Sequence, residues 1–409
     1  MIKILIISGE PSGDFLGANL ISALRKKVKI ESSRGISFQG IGGPLMENEG
    51  FISLIQQERI NKMGFIEILF NLFDLLKVLR TVSNYCLAWK PDLIITIDSP
   101  EFSFRLSKRV KKILKTTPVV HYVMPSIWAW RPRRLEKIRS FVDHILALFP
   151  FEPKLAETNK ISCEFVGHPV VSKKIPAVQD IVVLRKALGI GNNVPIMAVM
   201  PGSRRSEIKN NLPIFLSTIK MVAAVYTDLV FVIPAVSEVE ELVVSKVSKF
   251  CEKTGLNVLV LSQKSFDIAN DFENLKFSLF RTAAIALAAS GTVVLELART
   301  GVPMVVGYRA HYINELLIKA LVKTKKANLI DIIANSNEIP EFIFSNCTPE
   351  NLSKAIKVLL NDSTLTAKQL ELSRTVMKSL GFGGANPGDR AADSVIDFVK
   401  SYEKKSPLV

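Results

Sequence analysis

Asp98 closes the apolar run Leu93 to Ile97 and is followed by Ser99-Pro100-Glu101-Phe102. A carboxylate at the end of a buried strand is partly withdrawn from water, which suits it to accept a proton as a general base. The same residue type also caps turns, so position alone leaves both roles open. Glu10 and Asp14 are further acids of this kind, in the turn Gly9-Glu10-Pro11-Ser12-Gly13-Asp14 after the run Ile2 to Ile7, with the capping alternative again open for Asp14. Pro201-Gly202-Ser203-Arg204 joins a flexible residue, backbone amides and a guanidinium at a helix start, where the amides and the helix dipole favour an anion such as a diphosphate. Ser290-Gly291-Thr292 follows a third apolar run; its small residues let a phosphate or ribose approach the backbone, and Glu296, one turn on, can accept from ribose hydroxyls. None of these loops reads G-x-G-x-x-G, which argues against a nicotinamide cofactor.

The elements that must position these residues alternate. In the first half, strand-like runs at Lys3 to Ser8, Ser37 to Ile41, Asp92 to Ile97, Val119 to Met124 and Ile145 to Phe149 are separated by segments of helical period. The second half repeats the pattern at Ile196 to Met200, Val230 to Pro234, Val258 to Leu261, Ala284 to Ala289 and Pro303 to Gly307. That alternation predicts an α/β fold of two doubly wound, Rossmann-like domains, with ligands where strand ends meet helix starts and chemistry in a cleft between the domains. The expected division is residues 1–170 as one Rossmann-like domain, a polar linker over 171–182, a second over 183–365, and C-terminal helices over 366–409. These last are expected either to pack back on the first domain or to exchange between two copies in a homodimer. Ser12 is expected to cap a helix beginning near Phe15, with Leu16, Leu20 and Leu24 facing the sheet.

At 409 residues and 48% hydrophobic, the chain can bury two cores, yet no window approaches the roughly 18 uninterrupted apolar residues of a membrane span. Four scattered cysteines without a CxxC pair indicate neither a zinc site nor a disulfide framework, and no His, Asp or Cys spacing suggests another metal. A cytoplasmic protein without metal or cofactor is expected. The excess of 53 Lys and Arg over 38 Asp and Glu implies an anionic partner.

Between Met63 and Leu79 the polar residues Glu67, Asn71, Asp74 and Lys77 form one narrow stripe on an otherwise large and apolar helix. Phe65, Ile66, Leu69, Phe70, Phe73 and Leu76 supply more apolar surface than one buried face needs. Periodicity alone allows burial between elements as readily as membrane contact. The flanking Lys62, Lys77, Arg80, Arg105, Lys108, Arg109, Lys111, Lys112, Lys115, Arg131, Arg133, Arg134, Lys137 and Arg139 favour an anionic lipid surface. Trp128, Trp130 and Arg131, in the segment His121 to Arg131, combine aromatic faces with a cation and could cover a sugar or acyl chain and hold a phosphate.

Read together, SGEPSGDFLG from Ser8, GIGGPLM from Gly40, IDSPEF from Ile97, HYVMPSIWAWR from His121, FVGHP from Phe165, PGSRRSE from Pro201, ASGTVVLE from Ala289, VPMVVGYR from Val302 and LVKT from Leu321 resemble the lipid-A-disaccharide synthases. This order runs from the N-terminus to about residue 330. The resemblance implies a GT-B glycosyltransferase that moves 2,3-diacylglucosamine from UDP-2,3-diacylglucosamine to the 6-hydroxyl of 2,3-diacylglucosamine 1-phosphate (lipid X), with inversion, beside an anionic inner-membrane surface. It further implies Asp98 as base and Glu10 as a second required acid; Gly202, Ser203, Arg204, Ser290, Gly291, Thr292 and Glu296 on the nucleotide side; and Ser12, Asp14, Trp128 and Arg131 on the acceptor side. Glu101 stands where the family usually has Asp, and Ile330-Asp331 where it commonly has Pro-Asn, with Asn328 the nearby alternative.

Two other readings compete. Another UDP-sugar enzyme of the same fold, such as a UDP-GlcNAc 2-epimerase, would turn over a soluble sugar nucleotide without lipid. A nucleic-acid binder would use the net charge of +15, but the chain has no basic low-complexity tail or RNA-binding motif, so no nucleic-acid partner is expected.

Overall fold

The computed structural model describes residues 1–31, 35–57, 72–125, 134–265, 269–310, 315 and 326–405. The chain divides into two compact units, one of Met1–Ser172 with Leu380–Val409, the other of Lys173–Ser379. Each is built on a parallel sheet with helices.

In the first unit the strands are β1 (Ile2–Ser8), β2 (Ile36–Ile41), β3 (Ile52–Ser53), β4 (Leu93–Ile97), β5 (Val119–Tyr122), β6 (His144–Ala147) and β7 (Ser162–Phe165). Their order is β3-β2-β1-β4-β5-β6-β7. The five residues of β4 are all buried, because a parallel sheet covered on both faces has no solvent side to accommodate alternation. Along β1 the side chains separate by parity, Leu5 and Ile7 joining one core cluster and Ile4 and Ile6 the other, as the pleat requires. Leu16, Leu20 and Leu24 are buried in the second of these cores. Their helix spans Pro11–Glu31 rather than starting near Phe15. Proline fits the first helical turn, where its missing N–H costs nothing. Ser12 therefore lies inside that turn, exposed, and is not the cap.

The second unit has β8 (Ile196–Met200), β9 (Val230–Ala235), β10 (Val258–Ser262), β11 (Ile285–Ala288), β12 (Met304–Tyr308) and β13 (Glu341–Ile343), in the order β10-β9-β8-β11-β12-β13. Thr348 caps the helix Pro349–Asn361, its hydroxyl accepting from Asn351 N at 3.3 Å. The C-terminal residues do not act as one group. Helix Ser363–Ser379 belongs to the second unit, where buried Gln369 accepts from Met304 N at 2.6 Å and donates to Met304 O at 3.0 Å, pinning the start of β12. Helix Pro387–Lys405 belongs to the first, burying Ala391, Ala392 and Val395 in the core that holds Leu20. Ser394 Oγ meets His144 Nε2 at 2.9 Å, and Lys27 pairs with Asp393 at 2.7 Å.

In both orders the chain reverses direction once, between β1 and β4 and between β8 and β11. At such a switch point the two following loops leave on opposite sides of the sheet and open a crevice at the carboxyl ends of the strands.

Candidate active site

At the switch point of the first unit, Ser8 pairs in register with Ile97, so the turn carrying Glu10 and the residue Asp98 leave adjacent strand ends. Asp98 and Ser99 both adopt left-handed backbone, at φ of 51° and 44°, and Val123, just past the end of neighbouring β5, does so at φ 79°. For residues with a Cβ this costs on the order of 1–3 kcal/mol each, and such outliers gather at functional sites. The strained turn is held by Asp98 N donating to Tyr122 O at 2.9 Å and Ser103 Oγ donating to Asp98 O at 2.7 Å. Asp98 and Glu10 are both partly exposed.

Gln57, which no sequence signal marked, clamps the Glu10 turn. Its buried amide donates to Ser8 O at 3.3 Å, Ser8 Oγ at 3.0 Å and Glu10 O at 2.9 Å. Asp14 is buried, and its carboxylate accepts from the backbone N of Gly43 at 2.9 Å, Leu45 at 3.0 Å and Met46 at 3.0 Å. It caps the short helix Pro44–Asn48 from a distance. The turn tolerates only glycine at 43, since a Cβ there would lie 2.5 Å from Asp14 Oδ2 and 2.6 Å from Gln57 Oε1.

At the switch point of the second unit, Ala288 pairs in register with Met200 and Ala289 N donates to Met200 O at 2.7 Å, which sets the Pro201–Glu207 and Ser290–Glu296 loops side by side. Gly202, at φ 126°, lets Glu207 reach back under the loop; its carboxylate accepts from Ser203 N at 2.9 Å and Arg204 N at 3.3 Å. These two amides, expected to face an anion, are thus engaged by the capping box. The helix's own first-turn amides remain for one, together with the Arg204 side chain, 76% exposed and paired at 3.7 Å with Glu207 Oε1. Buried Asn211 braces the loop, donating to Pro201 O at 2.9 Å and accepting from Arg309 N at 2.8 Å. Tyr308, at the end of β12, has its hydroxyl pushed above the usual range by burial and then by the Glu207 charge, which records how near it lies to this loop.

Ser290 Oγ donates to Ala327 O at 2.8 Å, tying its loop to the 327–331 segment, while Gly291 and Thr292 are exposed at the helix start. Glu296 is nearly enclosed. Lys173 Nζ lies 2.9 Å from its Oε1 and Lys276 Nζ 3.0 Å from its Oε2. Burial alone would raise its carboxyl, but the two ammoniums outweigh that and hold it below the ordinary value. Neither Asp331 nor Asn328 faces outward. Both are buried, Asn328 Nδ2 donating to Asp331 Oδ2 at 3.0 Å and Asp331 also accepting from Glu338 N at 3.1 Å and Ile339 N at 3.3 Å. The pair locks a helix start.

Of the expected membrane residues, Phe65, Ile66, Leu69 and Phe70 lie outside the described residues, as does the side chain of Phe73; Trp128 and Arg131 also lie outside. Leu76, on helix Leu72–Trp89, is 49% exposed, with exposed Lys77 and Arg80 following it. The adjacent helix Pro100–Lys111 and the turn after it expose Arg105, Lys108, Arg109, Lys112 and Lys115. Lys111 does not join them, since it pairs with Asp143 at 2.6 Å. Among the described residues no helix is long and apolar enough to cross a membrane and no cluster of His, Cys, Asp and Glu could hold a metal.

Comparison with known proteins bears on the fold and the family. Over its whole length the chain is similar in fold, at 12% identity and a TM-score of 0.61, to a UDP-GlcNAc 2-epimerase from Neisseria meningitidis solved with UDP-GlcNAc, covering 98% of this chain and 100% of that one. It is also similar to the calicheamicin glycosyltransferase CalG4, at 15% identity and a TM-score of 0.59, with both chains fully covered. The fold is of the GT-B, Rossmann-like type. In sequence it is 37% identical over 398 residues to a lipid-A-disaccharide synthase from Rhodospirillum centenum, covering 97% of this chain and 95% of the relative. The match to that of Rickettsia prowazekii is 36% over 383 residues, covering 93% and 95%. The family described as "Lipid-A-disaccharide synthetase" matches residues 4–395, and the chain belongs to that family.

Proposed function

We propose that this glycosyltransferase moves 2,3-diacylglucosamine from its UDP derivative to the 6-hydroxyl of 2,3-diacylglucosamine 1-phosphate, giving a β-1,6-linked disaccharide 1-phosphate and UDP. The observation that carries the reading is the placement of the two residue sets: Glu10 and Asp98 at the switch point of one sheet, the Arg204 and Glu296 loops at the switch point of the other.

Asp98 takes the proton of the acceptor hydroxyl as its oxygen attacks the anomeric carbon. The bond from that carbon to the diphosphate breaks on the opposite face, so the configuration inverts in one displacement. Negative charge grows on the departing diphosphate, where the Arg204 guanidinium and the first-turn amides of helix Arg205–Ala223 stabilise it without a metal. Glu10, held by Gln57 beside the same strand ends, orients the acceptor. Glu296 accepts from the ribose.

Both substrates carry acyl chains, and exposed Leu76 among exposed Lys77, Arg80, Lys108, Arg109 and Lys112 supports docking of the first unit on the cytoplasmic face of an anionic inner membrane. Incubation of the protein with both acylated sugars and mass detection of the disaccharide tests the assignment. Product that appears only with both substrates supports it; turnover of soluble UDP-GlcNAc with no disaccharide would assign the chain to another chemistry.

A further inference from the structure

Glu296 is embedded in more charge than a surface helix acid needs. Lys173 bridges it to Glu273, and Lys276 approaches its other oxygen, so two ammoniums face two carboxylates. The four side chains come from three places in the unit: its first residue, helix Ala269–Thr282 and helix Val293–Thr300. The ammoniums are backed by an aromatic face, with Lys173 Nζ 5.1 Å and Lys276 Nζ 5.5 Å from the Phe277 ring centroid, and Lys276 Nζ 5.9 Å from that of Phe280. Rings behind the cations fix where the charges sit.

An ion cluster this enclosed adds little stability over well-packed apolar side chains, so its presence asks for another reason. The side chains of Glu296, Lys173 and Lys276 are 13%, 24% and 22% exposed. A carboxylate has two oxygens with two acceptor directions each. Each lysine takes one direction on one oxygen, which leaves one acceptor on each oxygen, the pattern that a vicinal diol fills with two hydroxyl donors.

We propose that Lys173 and Lys276 are positioning residues of the nucleotide site, clamping the Glu296 carboxylate so that both of its oxygens accept from the ribose 2′- and 3′-hydroxyls of a uridine nucleotide. This rests on the reading of the Ser290–Glu296 loop as a nucleotide site. The lysines touch no ligand themselves. They set the rotamer of Glu296 and keep it an acceptor on both oxygens down to acidic pH, where a lone enclosed carboxyl would take a proton and lose one acceptor.

The test is calorimetric titration of the full-length protein with UDP and with 2′,3′-dideoxy-UDP at pH 5.5 and 7.5, each variant being checked for an intact melting transition. Wild type prefers UDP by about tenfold or more, as expected for hydrogen bonds to a charged acceptor, at both pH values. Glu296→Gln removes most of that preference. Lys173→Met and Lys276→Met each reduce it severalfold, more at pH 5.5 than at 7.5, with dideoxy-UDP affinity unchanged, and Lys276→Arg restores it. A lysine variant that keeps the preference at both pH values, or weakens both nucleotides equally, overturns the positioning role and leaves the nucleotide site standing. Wild type without any preference, or without UDP binding, overturns the inference and the nucleotide reading together.

Discussion

The two units solve the same placement problem with different physics. In the first, the candidate carboxylates emerge from a strained strand end, with left-handed Asp98 restrained by neutral hydrogen bonds to Tyr122 O and from Ser103, and the Glu10 turn by those from buried Gln57. In the second, no described residue with a Cβ at the β8 and β11 strand ends has positive φ, and charge is added to the neutral braces of Asn211 and Ser290, Glu207 on two backbone amides and Glu296 between two lysines. On the proposed function the difference has a use. A base has to be aimed and partly dehydrated while staying able to change its charge, which neutral clamps and backbone strain suit. A nucleotide site has to present fixed charge, which ion pairs suit.

The contrast can be broken first at the charge. Arg204→Ala should lower kcat/KM for the donor by about a hundredfold, the scale of losing one charged stabiliser of a leaving group, while leaving the melting temperature unchanged because the side chain is exposed. Acid should separate the units next. Burial lowers His121 to about 3 and His144 to about 4, so in both the folded state holds the neutral ring. The stability this represents is complete above the unfolded value near 6.5 and is lost as pH falls from there toward 4, on the order of 3 kcal/mol for His144. A denaturant series from pH 7 to 4.5 should show the first unit weakening ahead of the second, and His144→Gln should flatten part of that slope. An even loss in both units would contradict the assignment.

Smaller effects sharpen the comparison. Gln57→Leu strands three acceptors in the first unit and should cost about 1–3 kcal/mol of stability and reduce kcat with little change in UDP affinity. Asn211→Leu in the second unit should have a similar stability cost but act on UDP affinity instead. Exchange of these two phenotypes would erase the division of labour. Last, Leu76→Asp with Lys108→Glu should weaken sedimentation with anionic vesicles by about tenfold, since each basic group near such a surface contributes about 1 kcal/mol. Neutral vesicles should show far less change.

The central strands were legible because a parallel sheet buries both faces: β8 reads as an unbroken apolar run and β4 as one broken only by Thr96. The edges were not. β3 is two residues long, β7 alternates exposed with half-buried positions, and β13 is half-buried throughout, so none carries the apolar run that marks an inner strand. Site residues followed the same divide. Asp98, Arg204 and Glu296 sit at ends of strong strands or on the helices that follow, where sequence reading looks for chemistry. Gln57, Asn211, Lys173 and Lys276 act through contacts 47 to 123 residues away in the chain for Gln57, Asn211 and Lys173, a separation that leaves no local pattern. Asp14 is the complementary case: its type and place in the turn suit a ligand as well as a cap, and only the fold brings the amides of 43–46 onto it.

The account turns on Asp98 acting on the acceptor proton and on nothing else. Asp98→Ala should therefore be measured twice on one preparation, for disaccharide formation and for UDP affinity. The prediction is a rate lowered by about 10² to 10⁴, the range of a lost general base, with UDP bound as in the wild type. Retained transfer, or transfer lost only in step with UDP binding, would contradict it.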